Sequence, residues 1–299
     1  MSNIYWPVYK NLEAGVLNLS YSIHIDDNQL NVYSSQISDL ILRASAEIES
    51  ISKELYKLNG GTKTTKIRYD TDALEHLNSL WKLEQKVALI SSANCFQTIK
   101  ELKPFVKNET STFHGQPTYT WNNSYQNLKH DRANSLQFGN LKYLFDIMSA
   151  LFILNLYYKN DVISLYNDGG GINFPLNMGS DIFSVKFHKW FLYDQNLNYG
   201  KKDFFDECLY YMHYTEGTIE NIKEAYKKDL NGMKESFLRY PATTEYLQNN
   251  TIADVVDEDF MKNILGRDDY LNLCLRNMEN QSEAAKYYQW QAFINKNEF

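Results

Sequence analysis

The chain has 299 residues, 43% of them hydrophobic, and a formal net charge of −7. That apolar content can build a substantial core in one large domain or two of ordinary size, which excludes disordered and collagen-like chains. Only 13 Gly and 5 Pro stand against 23 Tyr and 16 Phe, so a mainly α-helical protein is favoured over a turn-rich all-β fold. The negative charge argues against a protein that coats phosphates over its whole surface and leaves room for a local basic site. Cys95, Cys208 and Cys274 are far apart with no CxxC spacing, so they read as free thiols of a cytoplasmic protein. No secretory leader is expected at Met1 to Lys10, and no run reaches the ~18 apolar residues of a membrane span. The nearest, Tyr143 to Tyr158, is interrupted by Asp146 and Asn155 and reads as a buried helix, so no membrane partner is expected. Asn is abundant but dispersed, unlike a prion-like tract.

In chain order, Ile4 to Tyr21 reads as a helix with Tyr5, Tyr9, Leu12, Val16 and Leu19 on one side, Pro7 falling in its first turn. Ser34 to Leu58 is a stronger one, with Ile37, Ile41, Ala44, Ile48, Ile51 and Leu55 at spacings of four and three. Glu49 and Lys53 form a favourable i, i+4 pair on its flank, and Asn59-Gly60-Gly61 predicts a left-handed C-cap. Glu47, between Ala44 and Ile51, borders the buried seam. Asp72 and Glu75 resemble a capping pair for a shorter helix through Leu74, Leu77 and Trp81 to about Glu84. Lys86 to Ser91 either continues it or forms a brief strand. Pro104 to Pro117 reads as a loop leading to Thr118 as an N-cap.

The next helix, about Tyr119 to Leu136, carries Trp121, Tyr125 and Leu128 on a stripe whose next position is Arg132. After Phe138-Gly139, Leu141 to Tyr158 is apolar over much of its circumference and is expected at the centre of a bundle. Asn167 to Gly171 is the strongest flexible break, which places a soft boundary at Lys159 to Gly171. Val185 to Leu192 and Phe204 to Tyr214 fit a small hairpin or short helices. Thr218 to Phe237 reads as a helix with a seam of Ile219, Ile222, Tyr226, Leu230, Met233 and Phe237, and Asp269 to Lys296 as a final helix.

The cluster that stands out chemically is Lys129-His130-Asp131-Arg132. On one helix, Lys129 and Arg132 present two cations to one side, with Asn127 and Asn134 placed to orient the His130 ring. Such a set suits phosphodiester cleavage in RNA, the cations neutralising the phosphate and the histidine moving a proton, with no metal or other cofactor. Glu47 is the candidate partner that orients Arg132 or compensates its charge. A polar run of this kind is also commonly a solvated face, and an Arg on an apolar stripe commonly snorkels or joins a salt bridge.

The two amphipathic helices, the bordering Glu47, the His/Arg/Asn set of His130, Arg132 and Asn134, and the apolar helix that follows resemble the HEPN superfamily. The resemblance covers roughly Asn3 to Lys159. It implies a bundle of four to five helices over 1–160, homodimerisation that joins two polar sites, metal-independent ribonuclease activity in a bacterial toxin–antitoxin or phage-defence system, and a protein partner such as an antitoxin. The family's motif runs from Arg to His across four to six residues; here His130 precedes Arg132. The remaining 172–299 is expected to be a helical, aromatic-rich region that packs with the bundle or mediates assembly. Two other readings fit the same residues: a non-catalytic interaction module with a buried salt-bridge network, and a nucleotide or small-ligand sensor with an aromatic-lined pocket. His24, His76, His114, His188 and His213 lack HxxxH or HExxH spacing, so no metal site is expected. Gly169 to Gly171 lacks the flanking residues of a phosphate loop, and the tyrosines from Tyr193 to Tyr226 suit a core or an interface better than base stacking.

Overall fold

A computed structural model describes residues 3–93, 95–113, 115–166, 172–189, 199–251 and 257–298, with side chains at all of these except 110–113. The fold is mainly α, 57% helix and 13% strand. It has two compact units, Met1–His213 with Ala292–Phe299, and Tyr214–Gln291.

The first unit is organised by α6 (Leu141–Lys159), which begins where the Asn140 side chain accepts the Tyr143 N–H at 3.1 Å and ends at Asn160 in the left-handed region. Its circumference is apolar because neighbours cover it on several sides: α1 (Tyr5–Leu19), α2 (Ser35–Leu58) and α4 (Thr120–His130) all pack on it. Among the described residues α6 is the one helix long and apolar enough to cross a membrane, and 78% of that window is buried inside the fold.

Helix α2 forms as its sequence dictates. The Ser34 hydroxyl accepts the Ile37 N–H at 3.1 Å. At the other end Gly60 takes φ +84°, and the Gly61 N–H reaches the Tyr56 carbonyl at 2.9 Å, the longer bond of a Schellman cap. The Glu49–Lys53 pair closes at 2.6 Å.

Several segments depart from the sequence reading. Asp72 caps no helix; it lies within a π-helical turn, Tyr69–Leu74, that runs directly into α3 (Glu75–Trp81). The reason is an i to i+5 bond, Ala73 N–H to the Arg68 carbonyl at 3.0 Å, while the Asp72 carboxylate takes the Arg68 N–H at 2.7 Å. Lys82, with φ +53°, stops α3 before Glu84. Ala88–Ile90 is a strand, β1, in an antiparallel sheet of order β2-β1-β6 with β2 (Lys100–Leu102) and β6 (Phe183–Val185). The expected loop from Pro104 to Pro117 is largely an antiparallel pair, β3 (Lys107–Phe113) with β4 (Gln116–Tyr119), whose register shifts between Asn108 and Thr112. Thr118 therefore sits in a strand, and Tyr119 takes the N-cap position of α4.

A third sheet has the order β5-β9-β8-β7, built from β5 (Ile163–Leu165), β7 (Phe187–His188), β8 (Tyr210–Tyr214) and β9 (Trp290–Ile294). β7 and β8 pair in parallel, so the aromatic segments around them are not a hairpin. The last helix expected from Asp269 onward is broken, because its end is recruited as β9. β8 and β9 are neighbours, and the second unit is inserted between them. The chain thus divides at His213 and Ala292 rather than at Lys159 to Gly171; Gly169 to Gly171 themselves, like His114, lie outside the described residues.

The second unit comprises α7 (Glu216–Leu238), α8 (Pro241–Leu247), α9 (Glu258–Leu265), α10 (Arg267–Arg276) and α11 (Glu279–Ala284). Met233, Phe237, Met261, Leu265 and Leu273 form its core. The expected seam of α7 holds at Leu230, Met233 and Phe237, but Tyr226 is exposed and Ala225 and Asp229 are buried beside it. Asp229 faces inward because it accepts the Asn280 and Gln281 N–H groups at 3.1 and 2.9 Å, which caps α11. Burial raises its pKa, but these bonds and the Asn280 side chain outweigh that and hold it below its ordinary value.

Candidate functional site

The helix carrying the sequence cluster does not continue to Leu136. α4 ends at His130, Asp131 takes φ −147° and ψ 57°, and a separate turn, α5 (Arg132–Ser135), follows. The break is stabilised locally, since the Asp131 carboxylate accepts from the Asn134 side chain at 3.0 Å. Lys129, His130, Asp131 and Arg132 are all exposed, and Lys129 and Arg132 no longer share one helical face. Arg132 donates to Asp39 at 2.8 Å on the surface of α2. That corrects the expected Glu47 partnership: Glu47 lies two turns further along α2, about 12 Å by helical rise, and holds no ion pair among the described residues. Asn127 bonds back to Asn123 at 2.8 Å, so neither it nor Asn134 orients the His130 ring.

Lys129 does join a cleft. Its ammonium lies 5.1 Å from the Tyr125 ring centre, at the edge of a cavity of about 490 Å³ between α2, the π turn, β4 and α4. Arg68 and Lys107 line the same cavity, with Glu49 and Asp70 as its carboxylates. Glu49 is already paired with Lys53, and Asp70 accepts the Thr71 N–H at 2.9 Å. Lys107 bridges to Glu75 at 2.6 Å. Arg68 and Lys129 have no ion pair among the described residues.

A buried polar network forms the floor and holds the π turn against α4. The Tyr69 hydroxyl donates to Asn122 Oδ1 and accepts from Gln126 Nε2 at 3.1 Å, and Asn122 Nδ2 donates to Thr118 Oγ1 at 2.7 Å. Burial pushes the phenols of Tyr69 and Tyr119 up, so both stay neutral donors. A π turn inserts one residue into a helical turn and commonly marks a functional position; here the turn begins directly after Arg68, which lines the cleft. Arg68, Tyr69 and Lys107 were not singled out from the sequence; the only local signal is the cluster of Lys63, Lys66 and Arg68 within six residues.

Other titratable groups are held inside the first unit. His188 is fully buried: its Nε2 accepts the Lys202 N–H at 3.2 Å, so Nδ1–H donates to the Tyr199 hydroxyl at 3.0 Å, which donates to the Met212 carbonyl at 3.0 Å. Burial, with the Lys202 charge beside it, pushes its pKa down to about 4. Lys86 donates to the carbonyls of Asp206 and Cys208 at 2.9 and 3.3 Å, and burial lowers it to about 8. Asp146, near the Trp121 amide that opens α4, is raised to about 7 by burial against the opposing pull of Lys142 and that amide. Glu13, buried beneath Lys10, accepts from Tyr9 at 2.8 Å and from the Asp181 N–H at 3.1 Å, anchoring the turn before β6 to α1. Among the described residues no group of three or more His, Cys, Asp or Glu side chains is placed to hold a metal ion. No protein-family model, no curated protein and no solved structure matches this chain.

Proposed function

We propose that the chain binds RNA through its phosphates at the cleft of the π turn, and that His130, exposed on the last turn of α4 beside Lys129, is the proton-transfer group of a metal-independent ribonuclease. The observation that carries the reading is the convergence of Arg68, Lys107 and Lys129, from the π turn, β3 and α4, on one cavity. Cations without an anionic partner gain most from a phosphate, through charge-assisted hydrogen bonds and released counterions. Arg68 offers planar paired donors and the lysines act as point charges. The RNA 2′-hydroxyl is an internal nucleophile whose attack on the adjacent phosphorus breaks the bond to the 5′-oxygen, so cleavage needs a phosphate clamp, an acceptor for the 2′-hydroxyl proton and a proton, from His130 or water, for the departing oxygen. The HEPN-like assignment belongs to this proposal, supported by the packing of α1, α2 and α4 around α6, and carries with it the homodimer and the antitoxin or defence-system partner.

A second reading, a non-catalytic interaction module, draws on one contact: the Arg132–Asp39 pair ties α5 to α2, although on the surface and not in the buried network that reading expects. Cleavage of end-labelled tRNA in EDTA separates the two. The ribonuclease reading expects cleavage by wild type, loss in folded His130→Ala and near-normal rates in Arg132→Ala. RNA binding without cleavage by any of the three would leave a binding module.

A further inference from the structure

We infer that the phosphate cleft continues into a second cleft that takes a nucleobase, so that the ligand is single-stranded RNA read at a base bearing an exocyclic amino group. This rests on the RNA reading above and adds the substrate class. The second cleft, about 570 Å³, lies between α3 and the start of β3 and shares Lys107 and Tyr119 with the first. The two clefts meet at the Lys107 and Tyr119 side chains, which line both.

The two ends differ in charge. The first offers two cations without an ion pair among the described residues. In the second, Lys103 and Lys107 are already paired with Glu207 and Glu75, at 2.8 and 2.6 Å, which leaves Glu84 and the amide of Gln85 to meet a ligand. Glu84 is held in place: its N–H donates to Asn78 Oδ1 at 2.8 Å and its Oε2 accepts from Asn78 Nδ2 at 3.1 Å. Oε1 accepts no hydrogen bond among the described residues, which leaves it open to a donor from a ligand. Val106, 43% exposed on the rim, supplies an apolar face for a ring. A carboxylate accepts from the amino groups of cytosine, adenine or guanine, and uracil has none. In a duplex those edges are engaged in pairing, so an unpaired strand fits the site.

The test uses the full chain and fluorescein-labelled 12-residue oligo(A), oligo(C) and oligo(U), with affinity read by anisotropy. Wild type should bind oligo(A) and oligo(C) about tenfold more tightly than oligo(U). Glu84→Ala, an exposed substitution whose folding is checked by thermal melting, removes the acceptor and should abolish that preference, while the lost negative charge affects all three alike. Arg68→Ala should weaken all three alike. Equal affinities in wild type, or a preference that survives Glu84→Ala, would overturn the base cleft while an effect of Arg68→Ala leaves the phosphate reading standing. Binding of none of the three would overturn both.

Discussion

Acidification should destabilise the first unit through His188, by an amount that can be worked out. The ring titrates near 6.5 when unfolded and near 4 when folded. Between these values the unfolded chain binds the extra proton, and stability falls as pH falls. From pH 7 to 4.5 the two titration curves give a loss of about 2.5 kcal/mol, which saturates below about pH 4. Asp146 acts in the opposite sense, because its folded pKa of about 7 lies above the unfolded 3.8; its stabilising contribution is present at low pH and is lost as pH rises through about 7. The wild-type profile alone therefore mixes the two. His188→Gln isolates the first, since its amide accepts the Lys202 N–H and donates to Tyr199 without titrating. Urea unfolding of wild type and variant at both pH values should give a double difference of about 2.5 kcal/mol, with the wild type the more acid-sensitive. A difference near zero, or of opposite sign, would refute the buried neutral imidazole.

Asp146→Asn keeps an acceptor for the Trp121 amide but cannot ionise, so it should be more stable than wild type above pH 7, with the advantage shrinking as pH falls; melting temperatures across pH 5–9 report this. Gly139→Ala would place a Cβ 1.9 Å from the hydroxyl oxygen of fully buried Ser38. It should cost about 2–3 kcal/mol, partly recovered in the Ser38→Ala double variant, as measured by denaturant unfolding. Arg132→Ala removes an ion pair whose side chains are 44% and 61% exposed and should cost no more than about 1 kcal/mol by the same assay. A larger loss would mean that the Arg132–Asp39 pair is more than a surface contact.

What was legible in the sequence is what short-range chemistry decides. Helix α2 announces itself by its seam and by Ser34 and Asn59-Gly60-Gly61, which cap it through bonds to residues three to five positions away. Helix α6 shows its central place because apolar residues around its whole circumference need neighbours on several sides. Elements made by distant partners were hidden. Trp290–Ile294 continues a helical pattern and becomes a strand because β8 lies beside it. The polar segment before Pro117 reads as a loop and becomes β3 and β4 through mutual pairing. The π turn depends on Tyr69 reaching Asn122, 53 residues on. The site followed the same division. Lys129 and His130 were visible as a cluster, but the break at Asp131 separated Arg132 from them. Arg68 and Lys107 meet Lys129 only in the folded unit.

The central claim, that the π-turn cleft grips RNA phosphates, is tested most directly by the salt dependence of single-stranded RNA binding to wild type and to Arg68→Ala/Lys129→Ala. Removing two phosphate contacts should lower the magnitude of the slope of log affinity against log salt by about 1.4, since each contact on a single strand contributes about 0.7. A double variant that is folded, yet keeps the wild-type affinity and slope, would contradict the account.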